Sequence, residues 1–430
     1  MKIFNFLCIT ILFTVLIGCS KEIDPLDNEP IKVNSLEGRV EKGPFTQGAT
    51  VTIQELSQEL LLTGKSFQTD ISNNEGNFKL ETAIEFISPY IQIACDGYFF
   101  NEVTGELSKS QIRLESFVDI RNKRNINVNI LTHLSKNRIM KLMNEGKAYE
   151  DATLQAREEL LTCFGLQEYK EFDFEDLSIS SGEKEAGVLI IISSILLANR
   201  TEAELTEYVS TLKEIFTSNG TLPENIIKTL TESSKQLNIE AITSHIINRY
   251  NNLGKEISVP DLSYYIDWDG DGIAGNELGD PNLERYLLFD VDTVHVSKEG
   301  GVFNINIQTN IPFTTKVDNV SDVITPESIL EKIELTKTIN ENEIIINVSP
   351  TTAPFLSPNI ISIYSYDGRL RADLYVVQDG NFSNELSNVL TRAIISKTAS
   401  AFDFTHTIEA LYTNSSTTSI NEWQIFTRHN

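Results

Sequence analysis

The chain is poor in cysteine, tryptophan, histidine and positive charge, with four cysteines, two tryptophans and five histidines in 430 residues. So few cysteines exclude a disulfide scaffold. Cys8 and Cys19 lie in an N-terminal segment of its own character, which leaves Cys95 and Cys163, read as buried free thiols in different domains. His133, His245, His295, His406 and His429 are scattered, and neither His-Glu-x-x-His nor Gly-x-Ser-x-Gly occurs. Lys and Arg number 35 against 61 Asp and Glu, a formal charge of −26. That field repels phosphate backbones and anionic lipid, so nucleic acid is not expected as a partner. The apolar run from Ile3 to Ile17 falls short of the roughly 20 residues that span a bilayer.

What is present begins with that run. Lys2 precedes it, Asn5 and two threonines interrupt it, and Leu16-Ile17-Gly18-Cys19 closes it before polar chain. This pattern resembles a bacterial lipoprotein signal peptide. The resemblance implies removal of residues 1–18 and acylation of Cys19, so that a covalent lipid at Cys19 joins the protein to a membrane. An ordinary secretory signal with an incidental cysteine is the alternative. Ser20 follows the cysteine in place of the Asp that retains lipoproteins at the inner membrane, which implies an outer-membrane address. Lys21-Glu22-Ile23-Asp24 resembles the surface-export signal of Bacteroidetes lipoproteins, and a plain solvated linker has the same composition. Residues 19–35, with Pro25 and Pro30, are expected to form a flexible tether.

A chain of this length is expected to hold two to four domains. Over 36–128, runs such as Val51-Thr52-Ile53, Phe78-Lys79-Leu80 and Tyr90-Ile91-Gln92-Ile93 are separated by turn residues, notably Asn73-Asn74-Glu75-Gly76-Asn77. With Gly38-Arg39-Val40, Gly48-Ala49-Thr50-Val51 and Gly97-Tyr98, they resemble a carboxypeptidase-regulatory-like β-sandwich, a structural family that implies no catalytic residue. Over 129–256 the apolar period lengthens to about 3.6. Leu205, Tyr208, Val209, Leu212, Ile215 and Phe216 form one stripe; Ile239, Ile242, Ile246, Tyr250 and Leu253 form another. Thr201-Glu202-Ala203-Glu204 has the form of a capping box, and Gly165, Gly220 and Gly254 sit where helices should stop. About six helices in a bundle are expected, with Val188–Leu197 as a buried central one. Asn129-Ile130-Leu131-Thr132-His133-Leu134 resembles an Asn-Pro-Leu-Thr-Thr-Leu junction between such a sandwich and its helical domain, with Ile130 in place of proline.

Alternation returns over 290–380. Val296-Ser297-Lys298-Glu299-Gly300-Gly301, Thr309-Asn310-Ile311-Pro312-Phe313 and Val376-Val377-Gln378-Asp379-Gly380 resemble three blocks of a BACON domain, an immunoglobulin-like β-sandwich associated with carbohydrate binding. Phe313 stands where that family usually has tryptophan, and its alternating strand points it inward. In 381–430, Leu386, Val389, Leu390, Ala393 and Ile394 have helical spacing, while no terminal strand signal closes the chain. That segment reads as a small helical module or as the start of an incomplete domain. The fold class expected is therefore multidomain α+β: β-sandwich, helical bundle, then immunoglobulin-like β-sandwich.

The linker 257–289 holds the strongest chemical motif, Asp267-Trp268-Asp269-Gly270-Asp271-Gly272-Ile273. Carboxylates at alternate positions with glycine at the sixth match the first half of an EF-hand-type loop, in which a hard cation offsets the crowding of negative charge. The expected metal ligands are Asp267, Asp269, Asp271, the Ile273 carbonyl and Glu277, with Ca2+ as a structural cofactor. Position 12 is Leu278, and either Glu277 or Asp280 can close the loop. A solvated acidic turn is the bland alternative.

Enzyme signatures fail. Gly64-Lys65-Ser66 ends like a phosphate loop, but Glu59 replaces the required glycine, and the surroundings read as a hairpin. Ser181-Gly182-Glu183-Lys184 matches Ser-x-x-Lys without its companion Lys-Thr-Gly, and Ser180 or Ser181 is better read as a helix cap. The expectation is a non-catalytic outer-membrane or cell-surface lipoprotein that binds polysaccharide or glycoprotein, or scaffolds other surface-complex proteins. Trp268 and Trp423 are the tryptophans on which a sugar ring could stack, with a place in the core as the alternative for either. The alternatives are a spacer with calcium as its only ligand, and an enzyme with its site among the helices.

Overall fold

The computed structural model describes residues 30–319, 331–340, 342–353 and 356–381, and the strands 406–409 and 426–429. Cys19 lies outside the described residues, as do the helical-spacing segment 386–394 and Trp423. The chain is mixed α+β, with several sheets and six α-helices among the described residues.

The N-terminal sheets are built from β1 (Ile31–Glu41), β2 (Thr50–Leu56), β3 (Leu62–Asp70), β4 (Asn77–Phe86), β5 (Tyr90–Gly97), the short pair β6 (Phe100–Asn101) and β7 (Glu106–Leu107), β8 (Ile112–Asp119) and β9 (Val128–Asn129). One sheet has the order β4-β1-β9 and the other β3-β2-β5-β8. Alternation sets the faces: Val51 and Ile53 of β2 are fully buried between half-exposed neighbours. Gly38 is required by a close approach. The chain returning through Ile126 runs against β1, and a Cβ at residue 38 would lie 1.9 Å from the Ile126 carbonyl oxygen. The hairpin expected around Gly64 is present as β2–β3. The tether expected through residue 35 ends sooner, because β1 starts at Ile31, where Val33 and Leu36 bury against β4.

Six helices follow: α1 (Ile130–Asn144), α2 (Tyr149–Thr162), α3 (Lys184–Leu197), α4 (Glu202–Asn219), α5 (Glu224–Lys235) and α6 (Ile239–Asn252). Asn129 caps α1 through the amides of Leu131 and Thr132, and the Thr132 hydroxyl accepts the Asn129 amide. Thr201 and Glu204 form the expected capping box on α4, which stops at Gly220 in the left-handed conformation. In α3 every residue from Ala186 to Leu197 is buried. The serine cap differs from expectation. Ser178 bonds the Ser180 amide at the start of the short 3-10 helix Ile179–Ser181, while Glu183, with no side-chain bond, opens α3.

The boundary drawn at 128/129 does not separate two cores. One continuous apolar cluster runs from Val33 of β1 through α3 to Ala274, and it contains both Cys95 and Cys163. The two thiols are free and buried, as expected, but they share this one core. Neither the sheets nor the helices could cover their apolar faces alone, and each fully buried Ile or Leu contributes roughly 1.5–3 kcal/mol to keeping them together.

A second core belongs to β10 (Leu287–Phe289), β11 (Thr293–Val296), β12 (Gly301–Thr309), β13 (Phe313–Asn319), β14 (Glu331–Lys332), β15 (Leu335–Asn340), β16 (Glu343–Val348), β17 (Leu356–Ser357), β18 (Asn359–Ser365) and β19 (Arg371–Gln378). Its main sheets are β10-β12-β16-β15 and β11-β19-β18-β13. Ile305, Ile344 and Ile346 bury on the first, and Ile361, Ile363, Leu374 and Val376 on the second. This unit begins at Leu287, inside the expected linker, because β10 pairs with β12. At the C-terminus, β20 (His406–Glu409) pairs with β21 (Phe426–His429), so a terminal strand is present where none was expected.

Candidate metal centre

The stretch between the cores is fastened at both ends. Ala274 donates to the Gly165 carbonyl and Gly275 to Ile266, which moors the acidic loop on the turn after α2. On the other side Arg285 reaches Asp367 at 2.8 Å, and Arg369 reaches Asp261 at 2.7 Å and Glu240 at 3.0 Å. A Cβ at Gly279 would already touch Ile311 at 3.1 Å. The loop therefore sits at the seam of the two units.

Within it, carboxylate oxygens of Asp267, Asp269, Asp271 and Glu277 all lie within 4.8 Å of one another. Backbone amides hold them inward. Gly270 and Gly272 donate to the two oxygens of Asp267 at 2.7 and 3.0 Å, Asp271 to Asp269 at 3.0 Å, and Ile273 to Asp271 at 2.8 Å. Both glycines have φ near +90°, which side chains rarely adopt. Asp267 and Glu277 are 6% and 2% exposed, whereas Asp269 and Asp271 face solvent. Glu277 rides on the short 3-10 helix Asn276–Leu278, anchored by the fully buried Leu278. One of its oxygens accepts the Asp269 amide at 2.9 Å; the other is buried without a partner. Burial pushes its carboxyl up to about 7, the backbone amides opposing and the neighbouring Asp269 and Asp267 carboxylates adding to the rise.

The structure thus brings together the four acidic side chains expected. Glu277 joins the cluster, while Asp280 turns away to Asn282. Ile273 is half-exposed, and its amide is committed to Asp271. The donor set is all oxygen and highly anionic, with one buried oxygen unpaired, which fits a hard divalent cation. Trp268 serves the loop: it packs on the first core, and its indole N–H donates to the Ser263 carbonyl at 2.9 Å.

Beside the loop is a groove of about 620 Å³ on the second unit, lined by Thr309, Asn310, Ile311, Phe313, Asn342 and Tyr366 among others. Phe313 is half-buried against the core, as its alternation implied, with its remaining surface on this groove. Burial, with the Asp269 and Glu277 carboxylates, raises the Tyr366 phenol above its ordinary range, which places it in the field of the loop. Asn310 spans to the segment after the loop, accepting the Tyr286 amide and donating to the Glu284 carbonyl. Among the described residues the lining is uncharged, with the Lys337 ammonium donating to Thr315 at its edge.

Sequence reading missed the polar groups that the first core swallows. Lys42 and Glu102 form a dry ion pair, in which burial lowers the lysine and raises the glutamate despite their attraction. Glu41 is fully buried among Ile179, Ser178 and Tyr250, and burial pushes its carboxyl up to about 7. Glu115 is held down to about 2 against its burial by Lys136 and Lys213. Ser180 is bonded by Arg39 and Lys255, and Ser181 by the Glu183 amide. His133 is buried, and His245 is packed under Gly105 with Nδ1 at 3.0 Å from the Glu102 carbonyl. Charge pairs of this kind have no local sequence signal, because their partners lie far apart in the chain.

No protein-family model and no curated protein matches the chain. Among solved structures, the twitchin kinase region from C. elegans (Fn31-NL-kin-CRD-Ig26) aligns at 7% identity over 79% of this chain and 94% of that one, with a TM-score of 0.16. A likeness of that degree carries no argument about fold or activity.

Proposed function

We propose that this chain is a lipid-anchored, non-catalytic surface protein of the outer membrane, whose two cores are locked together by Ca2+ and whose second unit presents a glycan-binding groove. In this reading the N-terminal sheets form a carboxypeptidase-regulatory-like sandwich fused to the helices, and the strands of 287–381 form a BACON-like sandwich. The observation that carries the reading is the four-carboxylate loop at the seam. A cation held there joins the chain behind the anchor to the unit farthest from it, a mechanical role with no need of a catalytic base. Asp267 and Glu277 would hold it from the buried side and Asp269 and Asp271 from the solvent side. The groove supports the ligand class: Phe313 and Tyr366 offer rings, and Asn342 and Thr314 offer neutral polar groups, in a lining that is uncharged among the described residues. Polysaccharide or glycoprotein glycans fit that lining better than ionic ligands.

The test is binding of the chain from Lys21 onward to mucin and plant polysaccharides, with and without calcium. Binding weakened about fivefold or more by Phe313→Ala or Tyr366→Ala supports the groove, since a stacked ring is worth about 1 kcal/mol. No binding across the panel, with calcium still raising the melting temperature, reduces the protein to a spacer. A melting temperature indifferent to chelator removes the cation from the account.

A further inference from the structure

The end of the first unit from which the N-terminal segment departs carries three exposed aliphatic side chains on two neighbouring turns. Leu61 and Leu62, at the β2–β3 turn, are 68% and 57% exposed, and Ile87, between β4 and β5, is 75% exposed. The turns stand side by side. Leu56 at the end of β2 pairs with both Leu62 and Tyr90, and the Glu55 carboxylate accepts the amides of Ile87 and Ser88 and the hydroxyl of Thr63. The β2–β3 turn is also fixed in shape. Leu60 holds φ +61° with its side chain buried, and backbone bonds from Ser57 to Leu61 and from Leu60 to Ser57 close it, so Leu61 and Leu62 are held outward. β1 enters at this same end, with Ile31 paired to Phe86, the residue before Ile87.

Cys19 stands twelve residues before Ile31. Fully extended, that stretch reaches at most about 40 Å, so an acylated Cys19 keeps this end close to the bilayer. Among the nearby charges Lys32 pairs with the Glu85 carboxylate and Lys65 donates to the Glu85 carbonyl, while Glu59, on the same turn as Leu61, is exposed and bonded by the Ser57 hydroxyl. Grouped aliphatic side chains on rigid turns, at the end of the unit where β1 begins, are suited to shallow insertion.

We propose that Leu61, Leu62 and Ile87 seat this end in the bilayer surface, a second and non-covalent membrane contact that fixes the orientation of the first unit. The proposal rests on acylation of Cys19. Its test couples the chain from Cys19 onward to maleimide-lipid in phosphatidylcholine vesicles; Cys95 and Cys163 are buried, so Cys19 is the thiol that reacts. Hydrogen exchange at 57–63 and 86–88 is compared with the same chain coupled to soluble maleimide-polyethylene glycol. Exchange there should slow about tenfold on vesicles, and the slowing should vanish in Leu61→Asp/Leu62→Asp/Ile87→Asp, with α3 exchange unchanged as the check on folding. Equal rates on vesicles and in solution would overturn the proposal, as would slowing that survives the triple variant. Slowing in concentrated solution without vesicles would assign the patch to a second copy and overturn it equally. Mass spectrometry of the protein from its host tests the anchor separately, because an unmodified Cys19 defeats that reading whatever the vesicle experiment shows.

Discussion

The two cores are built on opposite principles. Among the described residues, the first buries Glu41, Lys42, Glu55, Glu102, Lys136, Arg138, Arg157, Glu175 and Lys213, whereas the buried polar residues of the second are Ser357, Asn359, Ser362, Ser365 and Gln378. Asp367 is the second unit's exception, its carboxylate covered and answered by Arg285 at the seam. The difference follows from what meets what. In the second unit, sheet faces sheet, and alternate Ile and Val close the gap. In the first, strands, helices and connecting turns meet, leaving long polar side chains inside, some held in charge pairs such as Lys42–Glu102 and others by amides and hydroxyls, as Glu41 and Glu55 are. Such pairs stabilise little in total, but half of one is costly.

The comparison breaks most readily at Lys42. Lys42→Met alone should destabilise the first unit by about 3–5 kcal/mol in urea denaturation, because it strands a buried Glu102, while Lys42→Met/Glu102→Leu should recover most of that. A single variant as stable as the double would show that the pair is wet. Ile346→Ala in the second core should cost about 2–5 kcal/mol through its cavity, with no dependence on salt or pH. At calcium 100-fold above its dissociation constant the seam should gain about 2.7 kcal/mol by thermal denaturation, and Asp267→Asn should abolish the gain.

Glu41 separates the cores by pH. Its folded pKa, about 7, lies above the ordinary 4.5, so the fold favours the protonated carboxyl. That contribution is complete below about pH 4.5 and is lost as the pH rises through 7. Glu41→Gln should reduce this slope by the Glu41 share, with the raised Glu277 carboxyl keeping its own, and leave the second unit untouched; an unchanged slope would place the titration elsewhere. The smallest effect is expected at the α4 cap, where Thr201→Ala should cost about 1 kcal/mol.

Legibility followed the same division. The strands around Val302–Ile307 and Ile344–Val348 were readable because a two-residue period has one solution when one face is buried. The stripes of α4 and α6, the capping box and Gly220 were readable for the same local reason. The acidic loop was half readable: its first three aspartates announce themselves, but the choice of Glu277 over Asp280 depended on the 3-10 turn that Leu278 anchors. The start of β1 at Ile31 was hidden, since Ile31-Lys32-Val33 becomes a strand only when β4 lies beside it. The fusion of sheets and helices was hidden too, because each stretch shows which face is apolar but not what covers it.

The sequence by itself determined the periods, the caps, the glycine stops and the crowding of Asp267, Asp269 and Asp271, all of which depend on residues within a few positions of one another. Only the tertiary structure decided that one core serves both sheets and helices, that Lys42 meets Glu102 and Arg369 meets Asp261, and that Leu61, Leu62 and Ile87 share the end where the chain enters. Those outcomes join residues far apart in the chain, and packing alone selects which distant faces close on one another.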